Sequence, residues 1–135
     1  MKLVLKIVGI IFGILLGLFI LQAVASESGE VVVVHTTDTN GEVAQTRLWV
    51  VDHEGAMWLR SGTPMAGWYQ RMQANPNVLV VRAEQEFALT AVPIVAMRDT
   101  INQKLNDKYG WADDVIEVFF GRDDAIAIRL DPRSP

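Results

Sequence analysis

Two arginines on neighbouring predicted strands are the residues of this sequence best suited to hold an anionic group. Arg47 and Arg60 fall on the second and third strands of a predicted antiparallel meander. A guanidinium group is planar and permanently charged, and it can bind a phosphate or carboxylate through two hydrogen bonds at once. Ser61 and Gly62 follow in a loop that can hold a phosphate or a ring edge, and Arg71 is a further candidate. The alternative, in which the arginines point to solvent and the loop only joins two elements, stays open.

Aromatic side chains are concentrated in the same half of the chain. Trp49 lies two residues after Arg47, and Trp68 and Tyr69 begin the short helix predicted after the loop. Such rings can stack on a flavin or quinone ring, but they also pack in cores and at barrel rims. Trp49, Trp68 and Tyr69 are therefore candidate ring-binding residues, with core packing as the alternative interpretation.

The sequence offers little for other kinds of chemistry. It has no cysteine, which excludes disulfides, thiolate metal sites and cysteine nucleophiles. His35 and His53 are the only histidines, so we predict no metal site. His35 on the first strand could donate a proton or be structural. The catalytic residues are therefore unknown at this stage.

The distribution of charge excludes one class of partner. The formal net charge is −4, and Lys2 and Lys6 are the only charges among the first 26 residues, so the remainder carries −6. Nucleic-acid binding depends on clustered Lys and Arg side chains, and here the basic residues are scattered. We therefore expect no nucleic-acid partner.

Residues 1–26 have the composition of a membrane segment. No charged residue occurs from Ile7 to Ser26, and about 20 residues at about 1.5 Å each cross a bilayer core of roughly 30 Å. Ala23-Val24-Ala25 fits a signal-peptidase site, whereas the length of the apolar run favours a retained anchor. The lysines before the helix predict a single-pass topology with a cytoplasmic N-terminus, the domain on the outer side and membrane lipid as a partner.

Residues 27–135 read as one mainly β domain of the α+β class. Strands are predicted at residues 31–37, 44–51, 56–60, 78–83, 86–92 and 125–130, and Asn40-Gly41 is a strong hairpin signal. A helix is predicted to begin at Pro93, and a later one to bury Trp111, Val115 and Phe119, with Asp113 and Asp114 favoured by the helix dipole. The alternation of short strands predicts a six-stranded antiparallel β-barrel with peripheral helices behind the transmembrane helix.

Three strings in this domain carry a family resemblance. They are His35-Thr36-Thr37 through Thr46-Arg47-Leu48-Trp49, then Gly67-Trp68-Tyr69-Gln70-Arg71-Met72-Gln73-Ala74-Asn75-Pro76, and Tyr109-Gly110-Trp111-Ala112-Asp113. The chain resembles the split β-barrel proteins related to deazaflavin-dependent nitroreductases, beside the FMN-binding flavoreductases of the pyridoxamine-phosphate-oxidase type. The resemblance covers nearly all of residues 31–131.

The resemblance implies an oxidoreductase that binds FMN or a deazaflavin coenzyme and passes a hydride to a nitro or quinone-like acceptor. Membrane attachment would suit a lipid-soluble quinone, and such barrels commonly form homodimers. The residues that would contact the cofactor are Arg47, Trp49, Arg60, Ser61, Gly62, Trp68 and Tyr69.

One departure from the family supports a second hypothesis. The family usually carries a Gly-Arg-Lys-Ser-Gly-like turn that holds the cofactor phosphates, but here the turn is Asp38-Thr39-Asn40-Gly41-Glu42. An acidic turn repels a phosphate. The alternative is therefore a non-enzymatic binding or interaction module of the cell envelope, which kept the barrel and lost the cofactor.

Overall fold

The N-terminal helix projects from the rest of the fold. The structure, a computed structural model, describes residues 1–26 and 29–133. Helix α1 (Lys2–Ser26) is exposed along its first 20 residues. By length and composition it could cross a membrane, and no other helix in the described part of the chain meets that criterion. The predicted boundary between anchor and domain adjoins residues 27 and 28, which lie outside the described residues.

The domain is built on a curled antiparallel sheet. Its seven strands are β1 (Val31–Thr37), β2 (Val43–Trp49), β3 (Val51–His53), β4 (Ala56–Ser61), β5 (Asn77–Arg82), β6 (Gln85–Pro93) and β7 (Ile126–Pro132). Their order is β2-β1-β5-β6-β7-β4-β3. Only Val50 separates β2 from β3, yet these strands form opposite edges of the sheet. The sheet must therefore curl until its edges meet, which gives a half-barrel.

The prediction of six strands was wrong by one, because the expected second strand divides at Val50. The backbone of Val50 leaves both ladders, and residues from a distant helix satisfy its polar groups. Its N–H donates to the Tyr109 hydroxyl at 3.1 Å, and Lys108 Nζ donates to its carbonyl oxygen at 2.8 Å. Because these partners lie almost 60 residues away, no local signal marks the break.

Four helical segments complete the domain. They are α2 (Gly67–Ala74), a short 3-10 helix (Val95–Met97), α3 (Arg98–Tyr109) and α4 (Trp111–Phe120). The helix expected to begin at Pro93 begins later, because Pro93 still pairs with Ile128 at the end of β6. A proline is tolerated at such a strand end because no further ladder hydrogen bond is required of it.

The two faces of the sheet support separate cores. Ile128 and Leu130 pack with Val34 and Met72 between the sheet and α2. Ala127 and Trp58 lie in a second cluster with residues of α3. The split follows the two-residue period of a strand, which turns successive side chains to opposite faces. α3 is thereby held against β3, β4 and β7.

Helix α4 does not bury the residues expected of it. Trp111 is 55% exposed and Phe119 41% exposed, so the prediction that they belong to the core was wrong. The buried residues of the helix are Ala112 and Asp113. The large apolar side chains instead face outward, because α4 turns Asp113 toward the domain.

A charged network joins the start of the domain to the sheet edge at β3. Arg82 donates to both Glu30 oxygens at 3.0 Å and to the two Asp52 oxygens at 2.7 and 2.8 Å. Lys108 Nζ donates to Glu30 at 2.7 Å. Hydrogen bonds from Arg82 hold the pKa of Glu30 and of Asp52 below their ordinary values. Burial raises the pKa of the Tyr109 hydroxyl, which donates to the Glu30 carbonyl oxygen at 2.6 Å.

Candidate functional site

A cavity of about 410 Å³ lies between β2, the loop after β4, and α4. Its wall is completed by α1 and by the residues that follow α4. It is lined by Gln22, Thr46, Arg47, Leu48, Trp49, Arg60, Gly62, Thr63, Ala66, Trp68, Leu105, Asp113, Ile116, Glu117, Phe120, Gly121 and Arg122. Its volume is in the range of sites that hold small molecules.

The fold brings five of the seven predicted site residues to this cavity. Arg47 and Trp49 come from β2, Arg60 from β4, Gly62 from the next loop, and Trp68 from α2. They meet because the curl of the sheet carries β2 toward β4. Whether any of them contacts a cofactor stays a prediction.

Two of the predicted residues, and the further candidate Arg71, are engaged elsewhere. Ser61 is buried, and its hydroxyl donates to the carbonyl oxygen of Thr63 at 2.6 Å. Tyr69, on α2, is buried in the core against the sheet. Arg71 Nε donates to the Thr36 hydroxyl at 2.9 Å. None of the three lines the cavity.

Asp113 organises the charged side of the cavity. Its carboxylate is fully buried and accepts hydrogen bonds from Arg60 Nη2 and Arg122 Nη2, each at 2.6 Å. Asn106 Nδ2 also donates to Asp113, at 3.1 Å, and Arg122 Nη1 lies 3.2 Å from a Glu117 oxygen. The lining holds three arginines and two acids, so it is close to neutral. Asp113 and Glu117 together thus balance the charges of Arg60 and Arg122.

Two hydrogen-bond donors in the same lining have no partner. Within residues 1–26 and 29–133, the buried side-chain nitrogen or oxygen atoms without a partner are Trp49 Nε1 and Arg122 Nε. Both residues line the cavity. A buried donor without an acceptor costs about 1–3 kcal/mol. A ligand with acceptor oxygens would recover that cost.

The indole of Trp49 is held in a fixed orientation. It stacks on the Tyr109 ring with a centroid distance of 4.2 Å and an interplanar angle of 7°. The Tyr109 hydroxyl is in turn fixed by the backbone of Glu30 and Val50. The donor on Trp49 is therefore pre-positioned, which lowers the entropic cost of binding.

The first hairpin turn does not offer a phosphate site. Asp38 Oδ1 accepts hydrogen bonds from the backbone N–H groups of Asn40 at 2.8 Å and Glu42 at 2.9 Å. The amides that could bind a phosphate at this turn are thus satisfied by a carboxylate of the chain itself. This turn therefore lacks the free amides and the positive charge that a phosphate would need.

Several cavity residues were missed by sequence reasoning. Asp113 was explained by the helix dipole alone, and Arg122 was not considered. Gln22 is the only polar side chain between Ile7 and Ala25. A polar residue in an otherwise apolar membrane segment commonly faces protein or ligand, and this signal could have identified it.

The fold is shared with cofactor-binding split barrels. The F420-H2 dependent reductase FDR-A is 20% identical, with a TM-score of 0.57, over 74% of this chain and 93% of that one. A protein assigned as a pyridoxamine 5′-phosphate oxidase from Listeria innocua is 14% identical, with a TM-score of 0.57, over 83% and 90%. HutZ, the heme storage protein of Vibrio cholerae, is 14% identical, with a TM-score of 0.63, over 82% and 87%.

Oligomeric structures also occur among these similar folds. A domain-swapped dimer is 20% identical, with a TM-score of 0.60, over 74% of this chain and 79% of that one. No family model matches the sequence, and no curated protein is similar enough to match it. At these identities the comparisons establish a shared split-barrel fold.

Proposed function

We propose that this chain is a membrane-anchored oxidoreductase of the flavin or deazaflavin type, whose cavity binds the ring of the cofactor. The observation that carries the proposal is that one cavity is lined by both Trp49 and Arg122, the residues whose buried donors Nε1 and Nε have no partner in the described chain. Flavin-type rings carry carbonyl oxygens that accept such hydrogen bonds. The fold shared with F420 and pyridoxamine-phosphate-oxidase-type proteins supports the same conclusion.

The remaining lining residues suit a planar ring. Trp68, Ile116 and Phe120 supply apolar and aromatic surface, and the two donors would orient the carbonyl edge. When bound, a flavin or deazaflavin ring would supply hydride transfer to a nitro or quinone-like acceptor. A homodimer also remains our expectation, because one similar structure is a domain-swapped dimer.

The membrane anchor is part of the proposal. Helix α1 is apolar and unburied over the length that a bilayer requires. Lys2 and Lys6 at its start favour a cytoplasmic N-terminus, with the domain on the outer side. Gln22, the only polar side chain between Ile7 and Ala25, lines the cavity.

A second function is favoured by a specific observation. Asp38 occupies the amides of the first turn, and Asp113 and Glu117 together balance the charges of Arg60 and Arg122, so no phosphate is favoured at either place. These features suit a non-enzymatic envelope module that binds a small acceptor-bearing molecule. The two functions differ in whether a flavin-type ring binds.

The distinguishing experiment is a titration of the full chain in detergent micelles with lumiflavin, riboflavin, FMN and the deazaflavin coenzyme. We expect saturable binding, with FMN within about threefold of riboflavin, because a phosphate held by charged hydrogen bonds would add about tenfold or more. Ile116→Trp should fill the cavity and weaken binding at least about tenfold. Val118→Trp, on the same helix but 84% exposed, should leave it unchanged.

Each other outcome has a defined meaning. If no ring binds to the folded chain, the oxidoreductase proposal fails and the envelope module remains. If FMN binds far more tightly than riboflavin, a phosphate site exists. The conclusion that Asp38 and Asp113 disfavour a phosphate is then wrong. If Ile116→Trp and Val118→Trp weaken binding equally, the ring does not occupy this cavity.

A further inference from the structure

The outward face of α4 is an apolar surface on an otherwise acidic domain. Trp111, Val115, Val118 and Phe119 fall at positions i, i+4, i+7 and i+8, which share one side of a helix. Trp111 is 55%, Val118 84% and Phe119 41% exposed. Burying such large side chains in an apolar environment is favourable by roughly 1.5–3 kcal/mol each. In the described chain, Trp111 and Val118 thus remain mostly uncovered.

This surface adjoins the membrane helix. Helix α4 packs against α1. Within α1 burial is confined to its last turns, where Gln22 is half-buried and Ala25 fully buried. Leu18 and Leu21 are the least exposed of its large apolar side chains. The contact with α4 therefore lies at the end of α1 that would emerge from the bilayer on the side of the domain.

The composition of α4 identifies the kind of surface it fits. Tryptophan prefers the membrane–water interface, where its apolar ring is buried and its N–H stays near water. The helix has no Lys or Arg; Asp113 and Glu117 lie off the apolar face, and Asp114 lies at its edge. Attraction to anionic lipid cannot therefore hold it, and the apolar contact must do so.

We propose that α4 lies in the interfacial layer of the bilayer that α1 crosses, with Trp111, Val118 and Phe119 among the lipid headgroups and upper acyl chains. The inference rests on the proposed membrane anchor. It is favoured over a second copy of the chain because α4 packs against α1, whose exposed apolar side lipid must already cover.

The position of α4 has a consequence for the ligand. Gln22, Ile116 and Phe120 line the cavity, and Phe120 is itself 59% exposed. With α4 in the interface, this side of the cavity opens at the headgroup layer. The molecule that reacts or binds there is then amphiphilic or lipid-soluble, and it enters from the membrane.

The test uses tryptophan fluorescence of the full chain in phosphatidylcholine nanodiscs, with and without brominated acyl chains as quencher. We expect brominated lipid to quench the wild type and Trp111→Phe to lose most of that quenching. Of the other three tryptophans, Trp58 is 3% exposed, Trp49 is stacked on Tyr109, and Trp68 is half-buried in the cavity wall. The quenching should persist at high salt. Val118→Asp should reduce quenching of Trp111, whereas Val43→Asp, at a similarly exposed valine on β2, should not.

The outcomes separate the inference from the anchor. Failure of the chain to co-elute with nanodiscs would overturn both. Co-elution with quenching unchanged by Trp111→Phe would leave the anchor standing and overturn the position of α4. Quenching that appears in discs holding one copy and is lost in discs holding two would mean that a second copy covers Trp111. That result would also overturn the proposed position of α4.

Discussion

Asp113→Ala is expected to lower the free energy of unfolding by about 3–5 kcal/mol, the cost of leaving buried charges without their partner. The Asp113 side chain is 1% exposed, and it joins Arg60 of β4 to Arg122 beyond α4. Without it, two guanidinium groups face each other in the cavity wall. Chemical denaturation of the full chain in micelles, followed by tryptophan fluorescence, measures the effect.

Asp114→Ala is the matched control. Asp114 is the next residue of α4, and its side chain is 68% exposed. It accepts a hydrogen bond from Asn106 Nδ2 at 2.8 Å. Because exposed ion pairs contribute about 0–1 kcal/mol, Asp114→Ala should lower the free energy of unfolding far less than Asp113→Ala does. Equal losses in the two variants would mean that Asp113 does not hold α4 through its arginine pairs.

Arg82→Met is expected to lower the free energy of unfolding by about 1–2 kcal/mol at neutral pH. The loss is no larger because Asp52 and Glu30 are partly exposed to solvent, which weakens their ion pairs. Arg82 lowers the pKa of both carboxyls. Their contribution is therefore complete above the ordinary values of 4.5 for Glu30 and 3.8 for Asp52, and it is lost as pH falls through the lowered values. The difference between wild type and Arg82→Met should accordingly shrink below about pH 4.

Arg129→Met controls for the loss of an arginine on a strand. Arg129 pairs with Asp131 two residues along the same strand and does not join separate elements. Its replacement should leave the pH dependence of unfolding unchanged. A difference between wild type and Arg82→Met that stays constant from neutral to acid pH would contradict the role assigned to Glu30 and Asp52.

The strands were predictable where local signals determine them. The β-branched run at Val31–Val34 and the Asn40-Gly41 turn give β1, β2 and their hairpin without help from the rest of the chain. The break at Val50 was not predictable, because its partners Tyr109 and Lys108 come from α3. The local sequence pattern likewise predicted helix α4 but not which of its faces packs against the domain.

The candidate site was predictable only in part, for a similar reason. Arg47, Trp49 and Arg60 were expected on paired strands of a meander, but β2 and β4 do not pair, and it is the curl of the sheet that brings them together. Asp113 and Gln22 reach the cavity from segments far away in the sequence, which only the tertiary fold brings together. The apolar stripe of α4 was assigned to the core because sequence periodicity cannot tell a core from a lipid-facing surface.

The most direct test of the ring-binding proposal is the indole signal of Trp49 in the ¹⁵N–¹H spectrum of the full chain, titrated with riboflavin. The chain has four tryptophans, and Trp49→Phe assigns the signal. We predict that Trp49 Nε1–H moves downfield and exchanges more slowly as it gains an acceptor, while Trp58 Nε1–H, already bonded to the His53 carbonyl oxygen, does not move. A Trp49 signal unchanged at saturating riboflavin would contradict the proposal.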